Sequence, residues 1–396
     1  MKTNQPQKNI PSDWQLTKLA NIGLFSKGAG ISKEELSENG HNAIRYGELY
    51  TKHNVKINKI HSFISDEIIP LTKKIKYGDI LFAGSGETID EIGKSATYLI
   101  KEDCYAGGDV IVFSPKNANS LFLSYFLNFG EGRKRLRELG QGQSVVHIYK
   151  SDIEELELHL PRVPEQNRIV SVLETWDKSI ENLNKKIEIK KQIKKGLMQD
   201  LLTGKKRLIG FKDQWELIKL KTICNIQKGK QLNKENMLKD GIYPALNGGI
   251  EISGWTNNWN TKENTITISE GGNSCGYINF NKEKFWCGGH CYAINPNKDI
   301  DNMFLYQILK IRQEKIMTLR VGSGLPNIQK KSLDDLKILF PKSKEEQIAI
   351  SDILTTADKE ISELEKKLLI IKDQKKYLLN NLITGTIRTP DTLKIN

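Results

Sequence analysis

The sequence has few cysteines and no long apolar run. Its five cysteines are irregularly spaced and odd in number, which does not fit a disulfide framework. No stretch approaches the roughly 18 apolar residues of a membrane span, and the first residues contain no apolar core typical of a secretion signal. We therefore expect a soluble, cytoplasmic protein with no membrane partner.

Signatures of catalysis are also missing. The segment from Gly86 to Ser95 resembles a phosphate-binding loop, but six residues separate its glycines where that motif has four. Asn295-Pro296 is followed by neither a second proline nor an aromatic residue, so we interpret it as a turn rather than a methyltransferase motif. We expect no catalytic residue in this chain.

A zinc site is a weaker alternative for one cluster. Cys287, His290 and Cys291, with Cys275 upstream, have side chains that bind zinc. The equivalent positions of the internal repeat described below are Ala106, Asp109 and Val110. A metal needed for folding would be expected in both copies, so we predict buried thiols and no metal site.

Positive charge is in excess. The 396 residues include 60 Lys and Arg against 48 Asp and Glu, a net charge of +12. Such an excess favours a polyanionic partner, and nucleic acid is the commonest. The length predicts two or three domains at roughly 100–200 residues each.

The sequence contains an internal repeat, with one copy in each half. Trp14-Gln-Leu-Thr-Lys-Leu recurs as Trp215-Glu-Leu-Ile-Lys-Leu, and Tyr105-Ala-Gly-Gly-Asp recurs as Trp286-Cys-Gly-Gly-His. The segment from Gln166 to Gly204 matches Gln347 to Gly385 without a gap. The regions near 50–100 and 250–285 agree poorly, and the second is shorter. Each half therefore has a constant part and a divergent part, which suits one architecture that recognises two different targets.

Each half ends in a predicted long helix with a 3.5-residue apolar period, which is typical of a coiled-coil seam. Each helix has about 38 residues, or about 57 Å at ~1.5 Å per residue, and Gly204 and Gly385 are expected at its end. The predicted seam residues are Ile169, Leu173, Trp176, Ile180, Leu183, Ile350, Leu354, Ile361, Leu364 and Leu368. Lys190, Lys194 and Lys375 also fall in the seam, where DNA contact and a solvated face are both open.

The remainder of each half is predicted to mix strands, short helices and glycine-rich polar loops. Ile80-Leu-Phe, Val110-Ile-Val-Phe, Thr265-Ile-Thr-Ile and Tyr292-Ala-Ile are predicted strands, and residues 121–128 and 303–318 are predicted helices. The expected fold class is α+β, with two repeated mixed α/β domains joined by two long helices in an antiparallel, pseudo-two-fold symmetric coiled coil. The predicted domains are 1–160, 161–205, 206–340 and 341–396.

The order of these features resembles the specificity (S) subunits of type I restriction-modification enzymes. The resemblance covers almost the whole chain. The features are the Trp-x-Leu-x-x-Leu opening, Gly-Asp-Ile-Leu-Phe-Ala at 78–83, Tyr-Ala-Gly-Gly at 105–108, Gly-Gln-Gly-Gln-Ser-Val-Val-His-Ile at 140–148, and Glu165-Gln at the helix start. The second half repeats the order but has Thr-Ile-Thr-Ile-Ser-Glu-Gly-Gly in place of Gly-Asp-Ile-Leu-Phe-Ala.

The resemblance implies a non-catalytic subunit whose globular halves are target recognition domains, each reading one half of a bipartite site in double-stranded DNA. The helices would hold the halves apart and dock two methyltransferase (M) subunits, with restriction (R) subunits joining through the complex. S-adenosylmethionine, ATP and Mg would bind to partner subunits, and this chain would hold no cofactor.

The resemblance also implies that loop residues contact the DNA bases. The candidates in the first half are Lys27, Arg45, Tyr46, Ser85, Glu87, Thr88, Gln143, Ser144 and His147. Those in the second half are Lys228, Asn247, Asn273, Ser274, Ser323 and Asn327. Two other functions are weighed: a stand-alone two-headed DNA-binding protein or nuclease, and a coiled-coil adaptor with no nucleic-acid role. The adaptor would explain the heptads but neither the polar glycine-rich loops nor the charge.

Overall fold

A computed structural model of the chain describes residues 10–322, 324 and 326–393. It divides into two compact units: unit 1 comprises Met1–Asn182 and Leu368–Asn396, and unit 2 comprises Leu183–Lys367. Both divisions fall inside long helices. The four domains expected from the sequence are a different partition and stay a prediction.

Unit 1 is built mainly from two mixed sheets. The strands are β1 (Gln15–Lys18), β2 (Gly23–Lys27), β3 (Leu36–Ser37), β4 (His41–Ile44), β5 (Lys56–Ile57), β6 (Ser62–Ile64), β7 (Lys73–Ile75), β8 (Ile80–Ala83), β9 (Ser85–Gly86), β10 (Ser95–Tyr98), β11 (Cys104–Ala106), β12 (Val110–Pro115), β13 (Val146–His147) and β14 (Glu157–Leu160). In one sheet β12 lies between β2 and β8, and the order is β2-β12-β8-β10-β5; in the other the order is β3-β6-β4-β11-β7. Two short antiparallel pairs, β1-β14 and β13-β9, complete unit 1.

Unit 2 repeats this plan in reduced form. Its sheets have the orders β15-β23, β16-β22-β19-β20 and β18-β17-β21. The pair β17 and β21 is parallel, as β4 and β11 are in unit 1. The described strands are β15 (Glu216–Lys219), β16 (Cys224–Lys228), β17 (Tyr243–Leu246), β18 (Gly254–Thr256), β19 (Thr265–Ser269), β20 (Ile278–Asn281), β21 (Trp286–Cys287), β22 (Cys291–Pro296) and β23 (Lys337–Phe340).

The helices follow the repeat as well. Each unit has two short helices after its long central strand, then a one-turn helix, and then a long helix. In chain order they are α1 (Glu48–Thr51), α2 (Ser120–Asn128), α3 (Gly130–Glu138), α4 (Lys150–Glu154), α5 (Val163–Leu201), α6 (Asn302–Ile311), α7 (Gln313–Met317), α8 (Lys330–Asp334) and α9 (Lys344–Leu382).

The strand predictions agree with β8, β12, β19 and β22 within a few residues. The helix predicted over 121–128 corresponds to α2. The helix predicted over 303–318 is wrong in its continuity, because Arg312 leaves helical geometry with ψ of 6° and separates α6 from α7. Gln313 then accepts hydrogen bonds from the Ile278 backbone and from Lys310.

A buried glutamine explains how each long helix begins. Gln166 donates to the Pro161 carbonyl (2.8 Å) and accepts from the Asn119 backbone (2.8 Å). Gln347 makes the equivalent bonds to Pro341 and to Asp301. Asn119 and Asp301 in turn cap α2 and α6, so each glutamine joins a long helix to a short one. The repeated Glu-Gln motif is therefore a packing element.

Each long helix packs its apolar residues within a unit. Ile169 and Leu173 of α5 share a core with Leu379 and Leu382 of α9 in unit 1. In unit 2, Leu201 and Leu202 share a core with Ile350 and Leu354. Both helices end before a glycine with a φ of +70°, Gly204 and Gly385, as expected for a left-handed end residue.

The chain segment after each long helix is held by an arginine. Arg388 bridges Glu165 and Asp13 in unit 1, with bonds of 2.5–2.8 Å. In unit 2, Arg207 bonds Glu346 (2.7 and 2.8 Å) and the Asp213 carbonyl.

The strands and helices of both units confirm the expected mixture of helix and strand. None of the described helices has both the length and the apolar character needed to cross a bilayer.

Candidate nucleic-acid interface

A Lys-Gly pair meets a Gly-Gly pair at the end of the main sheet of unit 1. Lys27 ends β2, and the Gly28 backbone donates to the Val110 carbonyl at 2.7 Å. A β-carbon on Gly28 would lie 2.0 Å from the Gly107 carbonyl oxygen, so only glycine fits there. This packing brings the Lys27 ammonium within 3.3 Å of Asp109, which directly follows Gly107-Gly108.

Unit 2 builds the same arrangement. Gly229 donates to the Cys291 carbonyl at 2.9 Å, and its β-carbon would lie 2.3 Å from the Gly288 carbonyl oxygen. Lys228 forms an ion pair of 2.7 Å with Glu270. The Tyr292 hydroxyl donates to the same carboxylate at 2.9 Å, and burial, together with this carboxylate, raises the pKa of Tyr292.

A second pair of candidates also occupies equivalent places. The Gly107 backbone donates to the Ile44 carbonyl, which puts Arg45 beside the glycines of unit 1. In unit 2 the Gly288 backbone donates to the Leu246 carbonyl, which places Asn247 there. The Asn247 Oδ1 is buried without a hydrogen-bond partner among the described residues. Arg45 and Asn247 thus lie near Lys27 and Lys228, respectively.

Three polar side chains form a chain of hydrogen bonds in unit 1. The Ser85 hydroxyl lies 3.0 Å from Asp109 Oδ2 and 2.8 Å from His147 Nδ1. Ser85 is buried and His147 is half-buried. Together with the ion pair to Lys27, these contacts assemble three of the predicted residues around one carboxylate.

Beside each of these clusters, two residues six positions apart pair through their backbones. In unit 1 the backbones of Gln141 and His147 exchange two hydrogen bonds, of 2.9 and 2.8 Å. In unit 2 Val321 and Asn327 do the same, at 2.8 and 3.0 Å. Gly142 and Gly322 have φ of +118° and +96° in the same loop position. Gln143 and Ser144 are exposed at the tip of the first loop, and Asn327 is exposed in the second.

The remaining candidates lie at the margins. Glu87 and Thr88 are exposed, and their backbone amides bond to Glu91. Tyr46 is half-buried, with its ring 6.4 Å from that of Tyr50. Ser274 donates to the Gly248 carbonyl at 2.5 Å, and Asn273 beside it is exposed. Ser323 lies outside the described residues.

The two carboxylates were not predicted. Asp109 follows the Gly-Gly pair and has a positive φ of 58°, whereas Glu270 follows β19. The repeat alignment pairs Asp109 with His290, so comparing the copies could not identify a shared acid. The Gly-Gly-Asp sequence, with a polar residue directly after two glycines, was the available signal in the first half.

The cysteines of unit 2 lie in apolar surroundings. Cys275 donates to the Glu270 carbonyl and Cys287 to the Cys291 carbonyl. Burial raises the pKa of Cys224 to about 12. In the part of the chain that the structure describes, no group of three or more His, Cys, Asp or Glu side chains is arranged to hold a metal ion.

The long helices carry ion pairs as well as apolar contacts. In unit 1, Asp177 accepts from Lys375 and Tyr125 and lies 3.2 Å from Lys56. In unit 2, Lys190 pairs with Glu360 at 2.8 Å and Lys194 pairs with Asp358. All the predicted seam residues are buried or half-buried, and the three seam lysines bond to carboxylates.

Comparison with known proteins shows the family of this chain. The family model described as the type I restriction modification DNA specificity domain matches residues 11–191 and again 212–372. A putative type I specificity subunit of Mycoplasma genitalium is 35% identical over 152 residues, which is 38% of this chain and 39% of that protein. The putative type I restriction enzyme MjaX specificity subunit of Methanocaldococcus jannaschii is 28% identical and aligns over 96% of this chain and 95% of its own length.

Solved structures share the fold. The crystal structure of a type I restriction-modification system S subunit from M. genitalium matches with a TM-score of 0.62 at 23% identity, covering 96% of this chain and 97% of that one. A chain solved in a study of complex assembly and conformational transition of the type I R-M system matches with a TM-score of 0.59 at 17% identity, covering 96% and 100%.

Proposed function

Because the chain belongs to the type I restriction modification DNA specificity family, we propose that it is the non-catalytic specificity subunit of a type I restriction-modification complex. The observation that carries this proposal is the double match of the family model, once in each half. The resemblance of the sequence to this family is thereby confirmed. Each half would read one part of a bipartite site in double-stranded DNA.

The duplicated clusters support this assignment. Each unit puts a lysine, a polar residue beside Gly-Gly, and an exposed polar residue (Gln143 or Asn327) at one end of its main sheet. Lysine supplies a charge that attracts phosphate, and Asn, Gln, Ser and His supply the donors and acceptors that read base edges. Because the two copies agree poorly near 50–100 and 250–285, we infer that the units read different sequences.

We propose that the long helices form an antiparallel, pseudo-two-fold symmetric coiled coil that sets the gap between the half-sites. Support comes from the repeated 3.5-residue period and from the ion pairs of Lys190, Lys194 and Lys375. The side chains of these three lysines are 19–33% exposed, against 54–62% for Lys27 and Lys228, which argues against a main role of those three in contacting DNA. In unit 2, Lys190 pairs with Glu360 and the later Lys194 pairs with the earlier Asp358, as expected for antiparallel helices.

Two methyltransferase subunits are the partners we propose for the helices, with restriction subunits recruited through the complex. Several large apolar side chains of the helices stay exposed, which is the property of a surface that a partner covers. They are Ile189, Ile193, Leu369, Ile370 and Tyr377. S-adenosylmethionine, ATP and Mg would belong to those partners, and we propose the cytoplasm as the location.

Mapping of methylated bases tests the proposal. The chain is co-expressed with a methyltransferase subunit encoded beside it, and modified adenines in host DNA are mapped by single-molecule sequencing. We expect methylation at one motif made of two short specific halves around a fixed gap. The matched control expresses the methyltransferase subunit alone and should give no such motif.

The alternatives predict other results. A coiled-coil adaptor would form a complex without sequence-specific methylation. A stand-alone two-headed DNA-binding protein would bind a bipartite duplex tightly without any partner. Either result would overturn the assignment as a specificity subunit.

A further inference from the structure

The hydrogen-bond chain in unit 1 fixes where the protons lie. The Ser85 hydroxyl contacts Asp109 Oδ2 at 3.0 Å and His147 Nδ1 at 2.8 Å. A serine hydroxyl has one hydrogen to donate, and an ionised carboxylate has none. The hydroxyl hydrogen must therefore point to Asp109, whose charge is also paired with Lys27.

The histidine tautomer follows from this. Since the only hydrogen of Ser85 Oγ is directed to Asp109, its lone pairs face His147, and Nδ1 must carry the hydrogen of that bond. In a neutral imidazole the other ring nitrogen, Nε2, is then an acceptor without a hydrogen. Ser85 acts here as a positioning residue.

The acceptor nitrogen is free to meet a ligand. Among the described residues no hydrogen bond reaches His147 Nε2, and this nitrogen is not buried. It therefore reaches solvent. It lies at the base of the loop whose residues 141–145 are exposed, on the surface that the proposed function assigns to DNA.

We propose, on the basis of that function, that His147 is a specificity-determining residue that reads an exocyclic amino group in the major groove. Adenine N6 and cytosine N4 are the base donors there, while guanine and thymine offer acceptors at the corresponding edge. An imidazole nitrogen held as an acceptor bonds to the amino group and is repelled by O6 or O4. The half-site read by unit 1 therefore contains an adenine or cytosine selected by His147.

Unit 2 lacks this device. The backbone pairing that joins Ser85 to His147 in unit 1 joins Gly271 to Asn327 in unit 2. Gly271 has no hydroxyl, and the Asn327 amide offers both a donor and an acceptor. The fixed preference for an amino group thus belongs to one half-site only.

The tautomer is tested directly by NMR. The full chain is labelled with ¹⁵N-histidine, and His147→Ala identifies which of the six histidine signals is lost. We expect the ring nitrogen shifts of an Nδ1–H tautomer with an unprotonated Nε2, and a change in that signal alone in Ser85→Ala. A ring protonated at Nε2 overturns the inference and leaves the proposed function standing.

The base contact is tested on the complex with the methyltransferase subunit. Once the wild-type motif is mapped, each adenine or cytosine of the half-site, except the adenine that is itself methylated, is replaced in duplex oligonucleotides by purine or 2-pyrimidinone, which lack the amino group. At one position, methylation by the wild-type complex should fall about tenfold, which is the size of one good base contact. The complex with His147→Ala should no longer discriminate among bases at that position. Its methylation of the analogue should be nearly the same as its methylation of the normal base.

The controls separate the possible failures. His159→Ala, on β14 and away from the loop, should keep the wild-type motif. If a bipartite motif is methylated but no position responds to both His147 and the amino group, the inference is wrong and the function stands. If the wild-type complex methylates no bipartite motif, the proposed function fails and the inference with it. The analogue measurement on the wild type decides the question even if His147→Ala folds poorly.

Discussion

Identical residues in the two copies of a repeat have different surroundings. Asp177 in unit 1 and Asp358 in unit 2 are equivalent, but β5 is present only in unit 1 among the described residues, and it brings Lys56 to Asp177. Burial raises the pKa of Asp177, but hydrogen bonds from Lys375 and Tyr125 and the charges of Lys375 and Lys56 outweigh burial, so the pKa is lowered overall. Asp358, which is about half exposed, pairs only with Lys194 among the described residues.

Asp177→Asn should therefore destabilise the protein more than Asp358→Asn does. The first change leaves the largely buried Lys375 without its counter-charge and leaves Lys56 with Glu174 at 3.9 Å, which costs about 3 kcal/mol. The second removes an exposed pair worth at most about 1 kcal/mol. Urea denaturation of the two variants measures the free energies of unfolding. Equal losses would mean that burial does not set the value of these pairs.

A half-buried histidine predicts a dependence of stability on pH. Burial and the neighbouring His61 lower the pKa of His53 from 6.5 to about 4. Between those values the unfolded chain binds a proton that the folded chain does not. Above about pH 6.5, His53 is neutral in both states and does not destabilise the fold. As the pH falls from 6.5 toward 4, it progressively lowers the free energy of unfolding.

The matched variant is His53→Gln. The slope of stability against pH between 6.5 and 4 should be smaller in the variant than in the wild type, as measured by urea denaturation across that range. His159→Gln, at a half-buried histidine of β14, serves as the control and should keep the wild-type slope. An unchanged slope in His53→Gln would show that other groups dominate.

At the scale of elements, close backbone approach shapes the candidate interface. The strand β2 ends against Gly107 because Gly28 has no side chain, and a β-carbon would meet a carbonyl oxygen at 2.0 Å. Gly28→Ala should cost about 3 kcal/mol through overpacking and displace Lys27 from Asp109. Gly196→Ala, inside α5 with no atom within 4 Å of the added carbon, should instead stabilise by about 1 kcal/mol.

Thermal unfolding checks both signs. The melting temperature of Gly28→Ala should fall and that of Gly196→Ala should rise. Methylation mapping adds a second readout, because Gly28→Ala should weaken recognition of one half-site while Gly196→Ala leaves the motif unchanged. A harmless Gly28→Ala would contradict the tight contact.

The elements differ in how far the sequence could predict them. The long helices α5 and α9 were predicted almost in full, since a helix is determined by local periodicity and end signals. The strands β8, β12, β19 and β22 were found from short apolar runs. The two-residue strands β3 and β5 could not be found, because only distant partners such as β6 and β10 define them.

The same distinction applies to the site. Lys27, Ser85 and His147 were selected as polar loop residues, and they lie together around Asp109. Their mutual contacts depend on three loops meeting in space, which no local pattern encodes. The acids of the two halves also come from non-equivalent positions, so the repeat itself concealed them.

At the scale of the molecule, two units with one plan imply that the specificities are separable. Residues 23–148 contain β2 to β13 and the loop of His147, while Asp13, Trp14 and Glu165, which contact the chain end, lie outside this range. Replacing 23–148 with the matching segment of another family member, chosen to keep a lysine at position 56 and a tyrosine at position 125, preserves the contacts to Asp177. We expect the hybrid to methylate a motif with one new half, one unchanged half and an unchanged gap.

The reciprocal hybrid, with the segment from β16 to Ile328 exchanged, is the matched control and should change only the other half. Single-molecule methylation mapping measures both motifs in the same host. The gap should stay constant because neither exchange alters the length of α5 or α9, the helices to which we assign the spacing. If one exchange changed both halves, the two units would not read DNA independently, and the assignment of one half-site to each unit would be wrong.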